Sequence, residues 1–306
     1  MNLPRRRELL AAVLYRVGVA HAVGWVRRRF GIGPPIYLMG HRVLTADAAA
    51  RDPVDRMALM SGHAITPREL ERRLRFVRRW VMPAGDPAEL RQGLARRRAF
   101  YLTFDDGYRD NAELAAPVLD RLGIRAVIFF VAELLGRPGA TPWWDRWGAE
   151  ELAKHPAGTA AAIDAYGSRC KRFKQQFAGL RDDDLQDGPS RYLAHEDLAN
   201  LPDAFYVGNH TRSHANLTLL SEADLARHID DGSKALSDHP RYLPLLAFPF
   251  GLFDERVLRR LREVPGYAVA FATGNGREGD ALCQRRINMN VRPFSLFALQ
   301  CAGVMR

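Results

Sequence analysis

The sequence predicts an α/β fold whose parallel sheet closes, or nearly closes, into a barrel. Short apolar runs alternate along the chain with longer amphipathic stretches, a pattern typical of strands that run parallel with helices between them. Six or seven such units indicate a barrel, and a chain of 306 residues with 47% hydrophobic composition can bury one core of that size. The composition gives no reason to expect a second globular domain.

The individual elements follow from hydrophobic patterning and from helix-start signals. Thr66 and Ser221 precede amphipathic stretches and are expected to be N-cap residues. The predicted strands are 36–39, 100–104, 126–131, 205–208, 245–248 and 268–272, with a weaker one at 282–287. The predicted helices are 67–80, 111–122, 221–237 and 254–263.

Two adjacent carboxylates, Asp105 and Asp106, directly follow one of these apolar runs and precede Gly107. Acidic residues in that place are typical of a buried strand that ends at the rim of an active site. Neighbouring side chains on an extended segment point to opposite sides. One carboxylate can therefore hold a metal while the other handles a proton, although Asp-Asp-Gly after a strand is often only a turn.

Two histidines, His210 and His214, follow another predicted strand and stand four residues apart. On a helical turn that spacing brings both imidazoles to one face. With one aspartate they make a ligand set that leaves a coordination position open for water. The alternative is a solvated helix start. Because the loops after the strands build the active site of such barrels, we expect both motifs at one barrel mouth.

At these motifs the sequence resembles the polysaccharide deacetylase family, whose catalytic domain is also called the NodB homology domain. The resemblance covers roughly residues 36 to 303 and implies a distorted (β/α)7–8 barrel, which we assign to residues 34–306. Its most specific elements are Thr103-Phe104-Asp105-Asp106-Gly107 and His210-Thr211-Arg212-Ser213-His214. Further matching pieces are Tyr37 to Val43, Leu246 to Gly251 and Arg286-Ile287-Asn288.

The family resemblance implies a metal-dependent hydrolase that removes N-acetyl groups from a poly- or oligosaccharide, in the biosynthesis of a cell-surface glycan or exopolysaccharide. Asp106, His210 and His214 would hold a divalent metal. Zn²⁺ is the first candidate, and Co²⁺, Ni²⁺, Mn²⁺ or Fe²⁺ would also suit these ligands. Asp105 would act as the general base.

The general acid implied by the family is displaced in this chain. Most members carry it in a Leu-x-His motif near the C-terminus, but no histidine follows His239 here. A branch with permuted motif order, which acts on exopolysaccharides, places the histidine in a Tyr-His element near the N-terminus. His41 matches that element, with Gly40 in place of the tyrosine. Taken alone, His41 could equally be a hydrogen-bonded histidine at a strand end.

The third family motif also differs, because Arg-x-Pro-Tyr is replaced by Ala247-Phe248-Pro249-Phe250. The arginine that would orient the base is missing, and Arg286 is the candidate to hold Asp105 instead. A backbone N–H near Pro249 and Phe250 would stabilise the oxyanion together with the metal.

Residues from about 137 to 197 exceed an ordinary connection between a strand and a helix, and we interpret them as an insertion overhanging the cleft. The insertion begins with Trp143, Trp144 and Trp147. Such aromatic faces could stack on sugar rings, with Trp144 as the candidate, or could anchor the insertion to the barrel.

The net charge of +10 is concentrated near the N-terminus, where the first thirty residues hold seven arginines and only Glu8 as an acid. We interpret residues 1–33 as a basic amphipathic segment that contacts the inner membrane surface. Arg16 interrupts the apolar stretch and disfavours a true span. A secretory signal with Ala20-His21-Ala22 as its cleavage site and an ordinary helix packed on the barrel are the alternatives.

These features place the protein in the cytoplasm or peripherally at the inner membrane surface rather than outside the cell. Nucleic-acid binding is not expected, because the arginines are spread along the chain without aromatic interleaving or a known motif. The three cysteines form no C-x-x-C pair and are expected to be inert thiols without disulfides. The sequence does not determine the oligomeric state.

Two other functions remain open at this level. One is a catalytically inactive barrel that binds glycan, motivated by the altered third motif and the displaced histidine. The other keeps the chemistry but acts on O-acetyl esters or non-sugar amides.

Overall fold

Seven parallel strands form the central sheet of the protein. The computed structural model describes residues 3–93, 98–155, 159–176, 179–180, 188–264, 266–277 and 279–305. The strands of the sheet are β1 (Ile36–Gly40), β4 (Phe100–Phe104), β5 (Ala126–Phe130), β6 (Phe205–Asn209), β7 (Tyr242–Ala247), β8 (Val269–Phe271) and β9 (Arg286–Asn288). Their spatial order is β8-β7-β6-β5-β4-β1-β9. A separate parallel pair joins β2 (Arg42–Val43) to β3 (Ala64–Ile65).

The two edges of the sheet come close to meeting. The amide of Ala272, just after β8, donates to the carbonyl of Gln284 at 2.9 Å, and the amide of Gln284 donates to the carbonyl of Ala270 at 2.8 Å. Gln284 lies just before β9, so β8 is bonded to the segment that enters the opposite edge strand. The prediction of a nearly closed, parallel α/β barrel is confirmed.

The interior of the barrel is filled by aromatic side chains. The ring of Tyr37 on β1 lies 5.1 Å from the ring of Phe271 on β8 and 5.7 Å from that of Tyr101 on β4. Tyr37 and Tyr101 face each other on neighbouring strands, whereas β1 and β8 are not neighbours, so the contact between Tyr37 and Phe271 joins separate strands through the barrel interior. Residues of the other strand face, such as Leu102 and Ile128, belong to the core that packs against the helices. This division follows from the two-residue period of a strand.

Helices surround the sheet. Both predicted N-caps are confirmed, because Thr66 Oγ1 accepts a hydrogen bond from the amide of Glu69 and Ser221 Oγ accepts one from the amide of Asp224. The α-helices of the described residues are α1 (Leu3–Arg16), α2 (Val19–Phe30), α3 (Ala46–Arg51), α4 (Pro53–Ser61), α5 (Pro67–Phe76), α6 (Ala116–Leu122), α7 (Ala132–Leu135), α8 (Trp143–Lys154), α9 (Thr159–Lys174), α10 (His195–Leu198), α11 (Glu222–Lys234), α12 (Glu255–Glu263) and α13 (Phe294–Ala302).

Three predicted elements differ in detail from the structure. The helix predicted over 67–80 changes into a π-helical turn at Val77–Val81, and the one predicted over 111–122 begins with a π-helical turn at Asn111–Ala115. The strand predicted at 282–287 is shortened to β9 because Ala281–Cys283 forms a 3-10 turn. Asp280 accepts from the amide of Leu282 at 3.0 Å, and such a local side-chain bond competes with strand pairing.

The N-terminal helices α1 and α2 pack against α13 and the π-helical turn Val77–Val81. Among the described helices, no single one passes the length and hydropathy test for a membrane span. The bent pair Arg6–Arg16 and Val19–Phe30, which meet at 66°, passes it together. The three cysteines are buried and free, as expected.

Within the stretch interpreted as an insertion, α8 and α9 pack on each other and on α4. Parts of that stretch, 156–158, 177–178 and 181–187, lie outside the described residues.

Candidate metal centre and active site

The functional side chains gather where the strands end. Asp105 and Asp106 follow β4, His210 follows β6, His41 follows β1 and Phe250 follows β7. All five line one cavity of about 760 Å³ at the carboxyl ends of the strands. That is the side on which parallel barrels build their active sites.

Asp106, His210 and His214 converge into a compact, buried group. Each offers one ligand atom, and these atoms lie within 4.8 Å of one another. Nε2 of His210 is 3.4 Å and Nε2 of His214 is 3.5 Å from Oδ1 of Asp106. The two imidazoles face the carboxylate, as the sequence predicts.

The hydrogen bonds around this group do not occupy the atoms that would bind a metal. Nδ1 of His210 lies 2.8 Å from the carbonyl of Ala247. A carbonyl only accepts, so Nδ1 carries a proton, and Nε2, on the side of Asp106, is the atom that a metal would bind. Oδ1 of Asp106 is buried and accepts no hydrogen bond from any described residue. A buried carboxylate oxygen without a partner is costly, and a cation between the three side chains would satisfy it.

The electrostatics of the group also suit a cation. Burial would raise the pKa of Asp106, but His210 and His214 lower it well below its usual range. Burial and the nearby His210 lower the pKa of His214 to about 3, so its imidazole is neutral. Burial opposes the charging of His210, yet Asp106 and Asp105 produce a net rise of its pKa. A bound metal would replace the proton that His210 attracts.

The backbone around the centre adopts a conformation rarely seen outside glycine. Asp106, Thr211, His214 and Phe250 have φ angles of 74°, 70°, 55° and 59°. Left-handed backbone costs a residue with a side chain roughly 1–3 kcal/mol and is concentrated at functional sites. Two of these four residues are candidate metal ligands.

Asn209 holds the strained turn that carries both histidines. Its Oδ1 accepts from the amide of Thr211 at 2.7 Å, and its Nδ2 donates to the carbonyl of Ile229 at 2.9 Å and to the hydroxyl of Tyr267 at 2.7 Å. Gly232 on α11 makes this approach possible, since a Cβ there would lie 2.4 Å from Oδ1 of Asn209. Sequence patterning does not reveal Asn209 as a supporting residue.

Arg286 binds Asp105 from β9 with both terminal nitrogens. Nη1 donates to Oδ1 at 2.6 Å and Nη2 donates to Oδ2 at 2.7 Å, and Nη1 also bonds Thr103 Oγ1 at 3.0 Å. Burial would raise the pKa of Asp105, but Arg286 and His210 lower it below its usual value. Asp105 is therefore a buried anion beside the candidate ligands.

The family model for polysaccharide deacetylase matches residues 93–269, more than half of the chain. The chain belongs to the polysaccharide deacetylase family. A search of curated proteins gave no significant match.

Solved structures of the family have the same fold. IcaB from Ammonifex degensii has a TM-score of 0.57 at 21% identity, and the alignment covers 89% of this chain and 97% of that one. The deacetylase PplD from Streptococcus pyogenes, solved in complex with acetate, gives 0.54 at 15%, covering 84% and 91%. The de-N-acetylase from Aggregatibacter actinomycetemcomitans gives 0.52 at 14%, covering 86% and 98%. At these identities the similarity establishes the fold alone.

The histidine proposed as the displaced family acid, His41, lies at the cavity wall. Its Nδ1 is buried and has no hydrogen-bond partner among the residues of known placement. Its ring is 5.8 Å from that of His63, whose Nδ1 in turn lies 2.9 Å from Ser61 Oγ. At Nδ1, therefore, His41 does not make the hydrogen bond to a described residue that would be expected if it were only a structural histidine at a strand end.

The tryptophans of the insertion differ in whether they anchor the insertion or face the cavity, where a sugar ring could stack. Trp143 and Trp147 are 1% and 8% exposed and anchor the insertion. Trp144 lines the cavity, with its Nε1 donating to Tyr108 OH at 3.0 Å and its ring 4.7 Å from His214. Trp143 also borders the cavity but is buried, so of these three tryptophans Trp144 is the one with a partly exposed side chain in the cavity wall.

Phe250 completes the wall next to the metal ligands. Its ring lies 4.5 Å from the ring of His214, and Nζ of Lys174 lies 5.0 Å from the centre of the Phe250 ring. Pro249, the residue before it, is buried. The amide of Phe250 remains the candidate oxyanion donor.

Sequence patterning does not identify several residues of the cavity wall, among them His63, Tyr166 and Lys174. No motif or partner pattern in the sequence singles out His63. It reaches His41 because β3 pairs with β2, and its carbonyl accepts from the amide of Arg42 at 3.2 Å. Strands of only two residues are too short to show an alternating hydrophobic pattern in the sequence. Tyr166 and Lys174 come from α9, whose position over the cleft depends on tertiary packing.

Proposed function

We propose that the protein is a metal-dependent hydrolase that removes N-acetyl groups from a poly- or oligosaccharide. The observation that carries this proposal is the orphaned Oδ1 of Asp106, which faces the free Nε2 atoms of His210 and His214. The ionised Asp105 lies next to this group in the chain and shares its cavity. A ligand set and a separate base are the parts that such a hydrolysis needs.

The reaction adds water to the acetyl carbonyl and breaks the amide C–N bond, giving acetate and a free amine. A divalent metal at the triad, Zn²⁺ or another of the metals that these ligands accept, would polarise the carbonyl and lower the pKa of water. Asp105 accepts the proton of the attacking water. Arg286 keeps Asp105 ionised and fixes the direction of its oxygens through two hydrogen bonds.

The departing nitrogen needs a proton, and His41 is the residue that supplies it. It lines the same cavity as Asp105 but follows β1, the strand next to β4 in the sheet. Its unpaired Nδ1 keeps one ring nitrogen available for proton exchange. The amide of Phe250 stabilises the negative charge on the carbonyl oxygen.

The face of Trp144 provides a surface for a sugar ring beside His214. The substrate is accordingly a glycan with N-acetylated residues, made for the cell surface or as an exopolysaccharide.

The test combines metal analysis of the purified protein with acetate release from N-acetylglucosamine oligomers. Wild type should bind one divalent metal per chain and release acetate. Asp105→Asn should keep the metal, because Asp105 is not a ligand, and lose release. Metal binding without release from any substrate would indicate a glycan-binding barrel. Release from O-acetyl esters alone would indicate an esterase.

A further inference from the structure

The N-terminal helix pair, α1 and α2, exposes an unusual amount of apolar surface. The described chain exposes nine large hydrophobic side chains, and eight of them lie between residues 9 and 32. The ninth is Leu219. The eight, with exposures from 38% to 70%, are Leu9, Leu10, Val13, Val17, Trp25, Val26, Phe30 and Ile32. Exposed apolar residues concentrated in this way mark an interaction surface.

The pair is fixed to the barrel by its other face. Ala11 and Ala20 are fully buried. Gly24 lies so close to the π-helical turn after α5 that a Cβ there would be 2.9 Å from the carbonyl oxygen of Trp80. The ring of His21 contacts those of Phe76 and Trp80 at 5.4 and 5.0 Å. The exposed side chains are therefore not an unpacked core face.

An arginine side chain also ties the pair to the far end of the chain. Arg27 donates through Nη1 to the carbonyl of Cys301 and through Nη2 to that of Pro34, both at 3.0 Å. The pair thus keeps a fixed orientation on the barrel, with one face covered by protein and the other free. Such an element can lie on a flat apolar surface without leaving the barrel.

The charge around the exposed face identifies the partner. The exposed arginines Arg6, Arg7, Arg16, Arg28 and Arg29 accompany the apolar residues, and the only acidic residue is Glu8. Trp25 and Phe30, whose ring centres are 6.4 Å apart, add amphipathic and aromatic area of the kind found at membrane interfaces. Arginine attracts anionic headgroups while apolar side chains enter the acyl boundary.

We propose that the exposed face of the N-terminal helix pair docks the protein on an anionic lipid bilayer. Docking in this orientation would hold the barrel at the membrane surface rather than thread the chain through the membrane. This inference is independent of the proposed chemistry, because it uses no residue of the cavity.

The experiment measures flotation of the full chain with vesicles of phosphatidylcholine, with and without about 30% phosphatidylglycerol. Wild type should float with the anionic vesicles, and high salt should weaken the binding. Val13→Glu and Trp25→Glu should each reduce binding on the order of tenfold. Leu219→Glu is the matched control, since it makes the same change at an exposed hydrophobic residue outside the pair, and it should bind like wild type.

The charge contribution is tested separately. Arg6→Glu/Arg7→Glu should lose binding to anionic vesicles, while Arg51→Glu/Arg68→Glu, with the same change of net charge on exposed arginines elsewhere, should retain most of it. Unchanged thermal melting shows that each variant is folded.

Failure of wild type to float, or equal loss of binding by Leu219→Glu and Val13→Glu, would overturn the proposal. It would also be overturned if light scattering showed a dimer that Val13→Glu converts to a monomer without change in flotation. In that case the face would be a contact between two copies of the chain.

Discussion

Arg286 on β9 and Asp105 after β4 form a bidentate ion pair in which both side chains are almost inaccessible, at 0% and 4% exposure. The sequence resemblance would place such an arginine at position 247, which is Ala247 at the end of β7 in this chain. The two strands carrying the pair flank β1 on either side. Arg286 thus supplies a positive charge to Asp105 from the strand on the far side of β1.

We predict that Arg286→Gln destabilises the protein and changes its pH profile. It leaves Asp105 buried without a countercharge, which costs about 3–5 kcal/mol. The pKa of Asp105 is held low in the wild type, so it should rise in the variant, and the acid limb of kcat/KM should move to higher pH. Thermal melting and a pH–rate profile test both effects.

Arg277→Gln is the control for that experiment. Arg277 pairs with Glu255 at the exposed surface, and exposed pairs contribute about 0–1 kcal/mol. An acid limb that stays in place in Arg286→Gln would show that the pair does not set the ionisation of the base.

We predict that Asp106→Asn, His210→Gln and His214→Gln each lower metal affinity by at least about 100-fold, because each removes one of three ligands. A chelator should lower the melting temperature of wild type, since a metal at 100 times its Kd stabilises the fold by about 2.7 kcal/mol. Titration of metal-free protein by calorimetry gives the affinities.

His195→Gln, at an exposed position of α10, should bind metal like wild type. Equal affinity in the three ligand variants and this control would exclude the triad as the metal centre.

The long strands could be predicted because buried strands appear in the sequence as apolar runs. The residues that follow them could be placed because the carboxyl ends of neighbouring parallel strands lie at one rim. β4 and β6 are separated by only β5, so residues placed after each strand meet at one rim. His63 could not be predicted, since its position depends on a pair of two-residue strands. The π-helical turns at 77–81 and 111–115 could not be predicted, because over five residues hydrophobic patterning does not distinguish a π-helical turn from an α-helical one.

We predict that the effect of His41→Gln depends on the leaving group of the substrate. A general acid contributes about 10²–10⁴-fold when the departing nitrogen must be protonated. An activated acetyl ester has a leaving group that needs no proton, so its hydrolysis should fall much less. Acetate release from N-acetylglucosamine oligomers and from an activated ester gives the two rates, and metal content should remain that of wild type.

His63→Gln is the comparison variant, because His63 lines the same cavity and its ring lies 5.8 Å from that of His41. Equal losses on amide and ester in His41→Gln would assign His41 to substrate binding or packing rather than to proton donation.

Two glycine-to-alanine changes should have opposite effects on stability. In Gly232→Ala the new Cβ would lie 2.4 Å from Oδ1 of Asn209 and 2.9 Å from the backbone carbon of Thr211. Overpacking of that kind costs about 1–3 kcal/mol, which outweighs the gain of about 0.5–1 kcal/mol from alanine in a helix. Because Asn209 holds the turn that begins at His210, metal affinity should fall as well.

Gly167 provides the matched control, since it lies in α9 and a Cβ there meets no atom within 4 Å. Gly167→Ala should therefore raise the free energy of unfolding by about 0.5–1 kcal/mol without changing metal affinity. Denaturant unfolding and metal titration of both variants measure these effects. If Gly232→Ala were as stable as Gly167→Ala and bound metal like wild type, the close contact between α11 and the Asn209 turn would not be what positions the two histidines.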